Sequence, residues 1–115
     1  KLETALNLSR RSYLSLLLHA SVLVGNSSSG IIEAASLGTP VLNIGSRQNL
    51  RERSNNIIDV SVDKNEITDG LNRALSMKDL VFKNQYGDGR SSKRIVKLLK
   101  TIDVRRDILC KVNTY

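Results

Sequence analysis

Residues 22–33 constrain the fold more than any other part of this chain. A short apolar run at residues 22–24 meets a turn of glycine, asparagine and serine, which leads into a helical pattern that carries Glu33. Such a turn offers backbone N–H groups and hydroxyls, and the start of a helix adds about half a positive charge. The segment therefore predicts a phosphate-binding turn at the carboxyl end of a parallel strand, and a plain helix N-cap with a small-residue turn is the alternative.

The rest of the chain alternates in the same way. Apolar runs at residues 41–44 and 57–60 predict two more strands. Helical periodicity predicts helices over residues 10–20, 30–37, 63–76 and about 92–102, with caps at Ser9, Gly38, Asp63 with Glu66, and Ser91 or Ser92. The alternation is typical of an α/β fold in three layers, with a parallel sheet between helices on both faces. Because sheets usually have about five or six strands, we expect the last part of a larger domain.

Composition limits the class of protein. The 115 residues allow one domain at most, and they contain neither an apolar run of membrane-spanning length nor a signal-peptide pattern. The single cysteine, Cys110, cannot form an internal disulfide, which fits a reducing compartment. We therefore expect a cytoplasmic protein with no membrane partner.

The positive charge is concentrated near the carboxyl end. Of the net charge of +7, residues 90–115 contribute +6. A basic segment can bind nucleic acid or anionic lipid, but this one has a single aromatic residue, Tyr115, and no recognition motif. A solvated basic helix face is the favoured interpretation, nucleic acid is not the expected partner, and a polyanion-binding surface remains the alternative.

Two side chains turn the phosphate site into a candidate nucleotide diphosphate site. Glu33 follows Ser28 by five residues, about 7.5 Å along a helix, which is about the distance from a diphosphate to its ribose. A carboxylate there can accept hydrogen bonds from a ribose diol; a solvent-facing glutamate is the alternative. Arg47 follows residues 41–44 by three positions and can reach phosphate from the neighbouring strand. For Arg47, and more strongly for Arg51 and Arg53 in the same loop, the alternative is a surface arginine.

Other polar residues favour structural roles. His19 is the only histidine and has no second metal ligand or nucleophile at a recognisable spacing. Cys110 lies in a polar tail without a redox motif. Asp88, between two glycines, fits a turn and cap, with a ligand-facing role as the alternative. We expect no metal site and no cofactor.

Several motifs in order carry a family resemblance over about residues 7–103. The runs Gly25-Asn-Ser-Ser-Ser-Gly-Ile-Ile-Glu-Ala34, Leu37-Gly-Thr-Pro-Val41, Asn43-Ile-Gly45 and Arg47-Gln48 resemble the UDP-hydrolysing UDP-N-acetylglucosamine 2-epimerases, which include sialic-acid pathway enzymes. The run Tyr86-Gly-Asp-Gly89, followed by a basic amphipathic helix, is similar to their carboxyl end.

The resemblance implies a fold, a reaction and a set of roles. The family has two Rossmann-like halves (GT-B-like) with the active site between them, and it converts UDP-N-acetylglucosamine and water to N-acetylmannosamine and UDP through a glycal. Neither a metal nor a redox cofactor is implied. By motif, Ser27 and Ser28 would hold the diphosphate with backbone help from Ser29 and Gly30. Glu33 would bind the ribose hydroxyls, and Arg47 would lie near the phosphates.

Some positions depart from the family pattern. Ala35 stands where proline is frequent, Ser46 where aspartate or threonine is usual, and Leu50 where glycine is common. The family's acid–base carboxylates and catalytic histidine lie upstream of the matched region, and His19 does not correspond to that histidine. No catalytic residue is therefore assigned to this chain.

The resulting hypothesis is the UDP-binding portion of such an epimerase. Residues 1–103 would form the UDP-binding domain, incomplete at its amino end, and residues 104–115 a basic tail. We expect the chain alone to be inert, and the full-length enzyme to include an N-terminal half and to form a homo-oligomer. Two alternatives are the nucleotide-binding half of a two-domain glycosyltransferase and a non-catalytic module that binds a nucleotide sugar or a polyanion.

Overall fold

The computed structural model describes residues 1–102. They form four α-helices, one 3-10 helix and three strands. In chain order these are α1 (Arg10–His19), β1 (Leu23–Gly25), α2 (Ser28–Ile32), the 3-10 helix (Ala34–Leu37), β2 (Val41–Ile44), β3 (Ile57–Val60), α3 (Lys64–Leu75) and α4 (Ser91–Thr101). The predicted tail at residues 104–115, with Cys110 and Tyr115, lies outside the described residues.

The strands form one parallel sheet with β2 in the middle. Leu23 of β1 is in register with Val41 of β2, and Val41 is in register with Ile57 of β3. All three strands therefore end at the same edge, where open α/β sheets bind their ligands. This arrangement confirms the predicted α/β class and its parallel sheet.

Alternate residues of β2 point into two separate clusters of apolar side chains. Val41 packs with Leu17 of α1 and Ala34 of the 3-10 helix. Leu42 packs on the opposite face with Ile58 and with α3. Because successive strand residues face opposite sides, both faces of the sheet carry helices and the domain has the predicted three layers.

Gly70 lets α3 lie close against the sheet. A Cβ atom built on Gly70 would lie 2.7 Å from Leu42 Cδ1 and 2.8 Å from Val60 Cγ1. The position therefore requires the absence of a side chain, although glycine lowers the intrinsic stability of a helix interior.

The helix predicted over residues 30–37 is two shorter helices. The α-helix α2 ends at Ile32, and the 3-10 helix runs from Ala34 to Leu37. Asn84 Nδ2 donates to the Ile32 carbonyl at 2.9 Å, so this carbonyl is satisfied from outside the helix. The stop at Gly38 is confirmed, because its φ of +71° is in the left-handed region that favours glycine.

The caps of α1 and α3 follow the sequence closely. The Ser9 hydroxyl accepts a hydrogen bond from the Ser12 N–H at 3.1 Å, and Asp63 Oδ1 accepts one from the Glu66 N–H at 3.0 Å. The Glu66 carboxylate does not complete the reciprocal cap predicted from its spacing. It accepts from the Ser61 N–H instead, at 2.9 Å, which ties α3 back to the end of β3.

The predicted serine cap of α4 is wrong. Arg90 occupies the N-cap position, and neither Ser91 nor Ser92 caps the helix. Asp88 stabilises this end: its carboxylate accepts from the Arg90 N–H at 3.0 Å and pairs with Arg94 at 2.6 Å. The hydrogen bond from Arg94, and to a smaller extent the one from the Arg90 N–H, holds the pKa of Asp88 below its usual value. The turn-and-cap interpretation of Asp88 is therefore confirmed.

The apolar stripe of α4 is present but uncovered by the rest of residues 1–102. Ile95, Leu98 and Leu99 are 55%, 59% and 69% exposed. The basic residues of the helix, Lys93, Lys97 and Lys100, are exposed as well. Within the described part of the chain, no helix combines the length and the apolar character needed to span a membrane.

Candidate functional site

The serine-rich turn lies between β1 and α2. Gly25 ends β1 with a φ of +147°, a conformation that favours glycine. Ser27 caps α2: its Oγ accepts from the Ser29 N–H at 3.3 Å, and its carbonyl accepts from the Gly30 N–H at 3.2 Å. The side chains of Ser27 and Ser28 are exposed at the carboxyl edge of the sheet. The two hydroxyl groups are therefore open to a ligand. The N–H groups of Ser29 and Gly30 already donate to Ser27, so they could bind a ligand only by sharing their hydrogen atoms with it.

Gly30 has a packing role in addition to its position in the turn. It is buried, and an added Cβ would lie 3.0 Å from Val41 Cγ1 and 3.3 Å from Leu23 Cδ2. The absence of a side chain therefore lets the start of α2 rest directly on β1 and β2. Because α2 has only five residues, the hydroxyls are a firmer basis for anion binding than the helix dipole.

The Glu33 carboxylate is held by both of its oxygens. Ser29 Oγ donates to Oε2 at 2.6 Å, and the Arg10 guanidinium donates to Oε1 at 2.6 Å. The hydroxyl of Tyr13 in turn donates to Ser29 Oγ at 2.9 Å. The Glu33 side chain is 24% exposed, so it is fixed from the α1 side while part of it still faces solvent.

These contacts also set the charge of Glu33. The hydrogen bond from Ser29, opposed by partial burial and assisted by Arg10, holds the pKa of Glu33 below its usual value of 4.5. Glu33 is therefore an anion at neutral pH. An anionic carboxylate accepts hydrogen bonds but does not donate them, which suits a diol and disfavours direct contact with phosphate.

Gln48 joins the loop after β2 to the serine-rich turn. Its side chain is nearly fully buried, and Nε2 donates to the Asn26 carbonyl at 2.8 Å. The other amide atom, Oε1, has no hydrogen-bond partner within residues 1–102. Arg47 is the preceding residue and is exposed. The hydrogen bond to Asn26 therefore brings the backbone beside Arg47 up to the serine-rich turn.

Arg53 braces the loop after β2 from the other side. Its Nε donates to Asp59 Oδ2 at 2.9 Å, and its Nη1 donates to the Gln48 carbonyl at 2.9 Å. Burial would raise the pKa of Asp59, but the hydrogen bonds from Arg53 and Asn43 and the charge of Arg53 outweigh it and lower that pKa. Arg53 is therefore occupied with loop structure, and it is not the mobile surface arginine that was the alternative for it.

The departure at Leu50 has a structural consequence. Leu50 is fully exposed and has a φ of +69°, which a side chain with a Cβ atom disfavours. The family glycine would adopt this conformation without that cost. The loop thus keeps a left-handed backbone at this position although the residue does not favour it.

An open groove of about 530 Å³ lies past the ends of β2 and β3. Its lining includes Ser46, the residue before Arg47, together with Ser61 and Glu66. The Arg47 loop therefore borders concave space at the same edge of the sheet as the serine-rich turn.

The only histidine has a structural contact, and the described residues offer no metal site. His19 Nδ1 is 2.7 Å from the Ser15 carbonyl of its own helix, in agreement with the structural interpretation. Within residues 1–102, no cluster of three or more His, Cys, Asp or Glu side chains is placed to hold a metal ion.

Sequence reasoning missed three residues beside the site: Arg10, Tyr13 and Gln48. Arg10 and Tyr13 are three positions apart on a predicted helix, and this spacing places them on one face. Their partners, Glu33 and Ser29, could not be seen from that spacing. Gln48 was part of a quoted motif, but its type indicates no particular contact.

Comparison with known proteins now identifies the family. The family model described as UDP-N-acetylglucosamine 2-epimerase matches residues 1–100. This chain belongs to that family. The match confirms the resemblance carried by the glycine–serine run and the motifs after it.

Individual relatives support the same conclusion. The chain is 50% identical over 109 residues to a UDP-N,N'-diacetylbacillosamine 2-epimerase (hydrolyzing) of Legionella pneumophila, covering 95% of this chain and 29% of that protein. It is 50% identical over 56 residues to a GDP/UDP-N,N'-diacetylbacillosamine 2-epimerase (hydrolyzing) of Campylobacter jejuni, covering 49% and 15%. It is 37% identical over 82 residues to a UDP-N-acetylglucosamine 2-epimerase of Neisseria meningitidis, covering 70% and 22%. The chain thus spans less than a third of these relatives.

Proposed function

We propose that this chain provides the UDP-binding site of a hydrolysing UDP-N-acetylglucosamine 2-epimerase. One observation carries the proposal: the serine-rich turn and the Arg47 loop meet at the carboxyl edge of the sheet, joined by the 2.8 Å hydrogen bond from Gln48 to Asn26. Membership of the epimerase family supplies the chemical class of the ligand.

The diphosphate is assigned to the two sides of this junction. The exposed hydroxyls of Ser27 and Ser28 donate to phosphate oxygens, and the N–H groups of Ser29 and Gly30 share their hydrogens with it. Arg47, exposed on the neighbouring loop, binds the phosphates through its guanidinium. Because UDP leaves as an anion, donors at this position stabilise the charge that develops on the leaving group.

The ribose is assigned to Glu33. Its carboxylate lies one turn along from Ser29 and keeps free lone pairs, since each oxygen is bonded to a single described partner. A ribose diol can therefore donate to Glu33 while the diphosphate stays on the serine-rich turn.

In the proposed reaction, UDP is eliminated to give a glycal, and water then adds to yield N-acetylmannosamine. This chain holds the leaving group, and residues 1–103 act as the UDP-binding domain with residues 104–115 as a basic tail. The acid–base groups are supplied by the rest of a longer, homo-oligomeric protein, and the chain alone is inert. Release of UDP from UDP-N-acetylglucosamine by the 115-residue chain would contradict the last point.

A second sugar is favoured by the relatives' names. Of the three relatives described above, the two that are 50% identical are named for diacetylbacillosamine, and the one named for N-acetylglucosamine is 37% identical. A UDP-linked diacetamido sugar is therefore the second candidate substrate. The UDP contacts proposed for this chain serve either sugar.

Removal of the positive charge at Arg47 tests the diphosphate assignment. We expect the chain to bind UDP, and we expect Arg47→Ala to weaken binding about tenfold or more, because a charge-assisted bidentate contact is lost. Arg51→Ala is the matched control, since it removes the same charge from the same loop. Equal losses in the two variants, measured by calorimetry, would indicate general charge attraction and contradict the assignment.

A further inference from the structure

We propose that Tyr13 is a positioning residue for nucleotide recognition: it orients Ser29, and Ser29 holds the Glu33 carboxylate for the hydroxyls of a ribonucleoside diphosphate. The inference rests on the ribose contact proposed above for Glu33. We call the two hydrogen bonds that run from Tyr13 through Ser29 to Glu33 the relay. Neither Tyr13 nor the Ser29 side chain has to touch the ribose.

Hydrogen atoms fix the direction of this relay. The Tyr13 hydroxyl donates to Ser29 Oγ, and Ser29 Oγ donates its single hydrogen to Glu33 Oε2. A serine hydroxyl has one hydrogen to donate, so the Ser29 side chain has none left for a phosphate oxygen. Ser29 therefore serves the carboxylate with its side chain, and only its backbone N–H, whose hydrogen is shared with Ser27 Oγ, can serve the diphosphate.

The relay connects α1 to the α2 segment. Ser29 and Glu33 are four residues apart and lie on one face of the α2 segment. Tyr13 approaches that face from α1 and is half-buried, as is Ser29. The relay therefore holds Oε2 through two half-buried side chains.

The second partner of the carboxylate is held differently. The Arg10 side chain is 74% exposed and forms an ion pair with Oε1 of Glu33. An exposed ion pair is worth little and breaks at low cost. Arg10 can therefore yield Oε1 to a ribose hydroxyl, while Tyr13 and Ser29 keep the carboxylate in place.

Ribose recognition gives a readout that a purely structural contact would not change. Affinities for UDP and 2′-deoxy-UDP are measured by NMR titration of the 115-residue chain. We expect the native chain to prefer UDP about tenfold, the effect of a hydrogen bond to a charged group. Tyr13→Phe and Ser29→Ala should each lower this preference to about threefold or less, because Glu33 is then less well positioned.

Two controls separate positioning from general damage. Tyr86→Phe removes a hydroxyl that donates to the Glu52 carbonyl at 3.2 Å, away from Glu33, and should leave the preference unchanged. In a Glu33→Gln background, Tyr13→Phe should have no further effect on the preference. Circular dichroism checks that each variant is folded.

The outcomes distinguish the inference from the function on which it rests. If the native chain binds UDP and 2′-deoxy-UDP equally, the ribose contact of Glu33 fails, and the role of Tyr13 fails with it. If the native chain prefers UDP and folded Tyr13→Phe and Ser29→Ala keep the full preference, the relay is wrong and the proposed function stands. Equal loss in Tyr86→Phe would also overturn the relay.

Discussion

The two sides of the candidate site are held in opposite ways. On the side of α2, the functional side chain itself is fixed: Glu33 has partners on both carboxylate oxygens. On the side of the loop after β2, the backbone is fixed by Gln48 and Arg53, whereas the Arg47 guanidinium has no hydrogen bond or ion pair to another residue within 1–102.

Because of this difference, substitutions on the two sides should differ in their effects on protein stability and on ligand binding. A substitution at Glu33 removes contacts that the folded protein already makes, so it should change both stability and ribose recognition. A substitution at Arg47 removes a side chain with no such contact, so it should change binding alone. The residues that hold the loop backbone should affect stability more than either.

The largest effect is expected for Gln48→Ala. The substitution leaves the Asn26 carbonyl without its donor and opens a cavity, which should cost about 2 kcal/mol of unfolding free energy. Urea denaturation measures this loss. Gln85 is exposed, so Gln85→Ala is the matched control and should stay within about 0.5 kcal/mol of the native chain. An equally small effect at Gln48 would show that its buried amide does not hold the loop.

Gly30→Ala should destabilise the α2 side by about 1 kcal/mol. The added methyl group would lie 3.0 Å from Val41 Cγ1, and the resulting displacement outweighs the better helix propensity of alanine. A double-mutant cycle with Val41→Ala measures the coupling. The cost of Gly30→Ala should largely disappear in that background, and an unchanged cost would rule out this contact as its cause.

Glu33→Gln should cost roughly 1 kcal/mol at neutral pH, mainly through the hydrogen bond from Ser29, since the mostly exposed Arg10 adds little. The pKa of Glu33 is lowered in the folded chain, so its stabilising effect is complete above the usual value of 4.5. That effect is lost as the pH falls through the lowered pKa. The two chains should therefore converge in denaturation midpoint in acid, and a difference that stays constant throughout the acid range would contradict this assignment.

The smallest effect is expected on the loop side, for Leu50→Gly. Glycine relieves the cost of a φ of +69° but increases the entropy of the unfolded chain, so a net gain of about 0.5 kcal/mol remains. Thermal unfolding measures this gain. Asn49→Gly is a control at an exposed neighbour, and it should not stabilise the chain. Destabilisation by Leu50→Gly would show that the left-handed conformation carries no strain.

Local patterns were enough to predict the strands, the parallel sheet and most helix ends. The caps at Ser9, Asp63 and Gly38 depend on neighbours a few residues away, and the structure confirms them. The break after Ile32 was not predictable, because Asn84 satisfies its carbonyl from 52 residues away in the sequence.

The same distinction applies to the candidate site. Spacing predicted Glu33 on the helix after the serine-rich turn, whereas the structure places it just past the end of α2, as the C-cap residue. Spacing could not show that Tyr13 and Arg10 approach it from α1, or that Gln48 links the two loops, since these contacts depend on how separate elements pack. The roles proposed for Ser27, Ser28 and Arg47 remain predictions.

Mapping UDP onto the backbone amides tests the central claim most directly. The chain is labelled with ¹⁵N and titrated with UDP, and with inorganic pyrophosphate as a control. We predict the largest shifts at residues 26–33 and 46–48, with pyrophosphate shifting the turn and the Arg47 loop but not Glu33. Shifts centred on the basic face of α4, or identical shifts for the two ligands, would contradict a nucleotide site at this edge of the sheet.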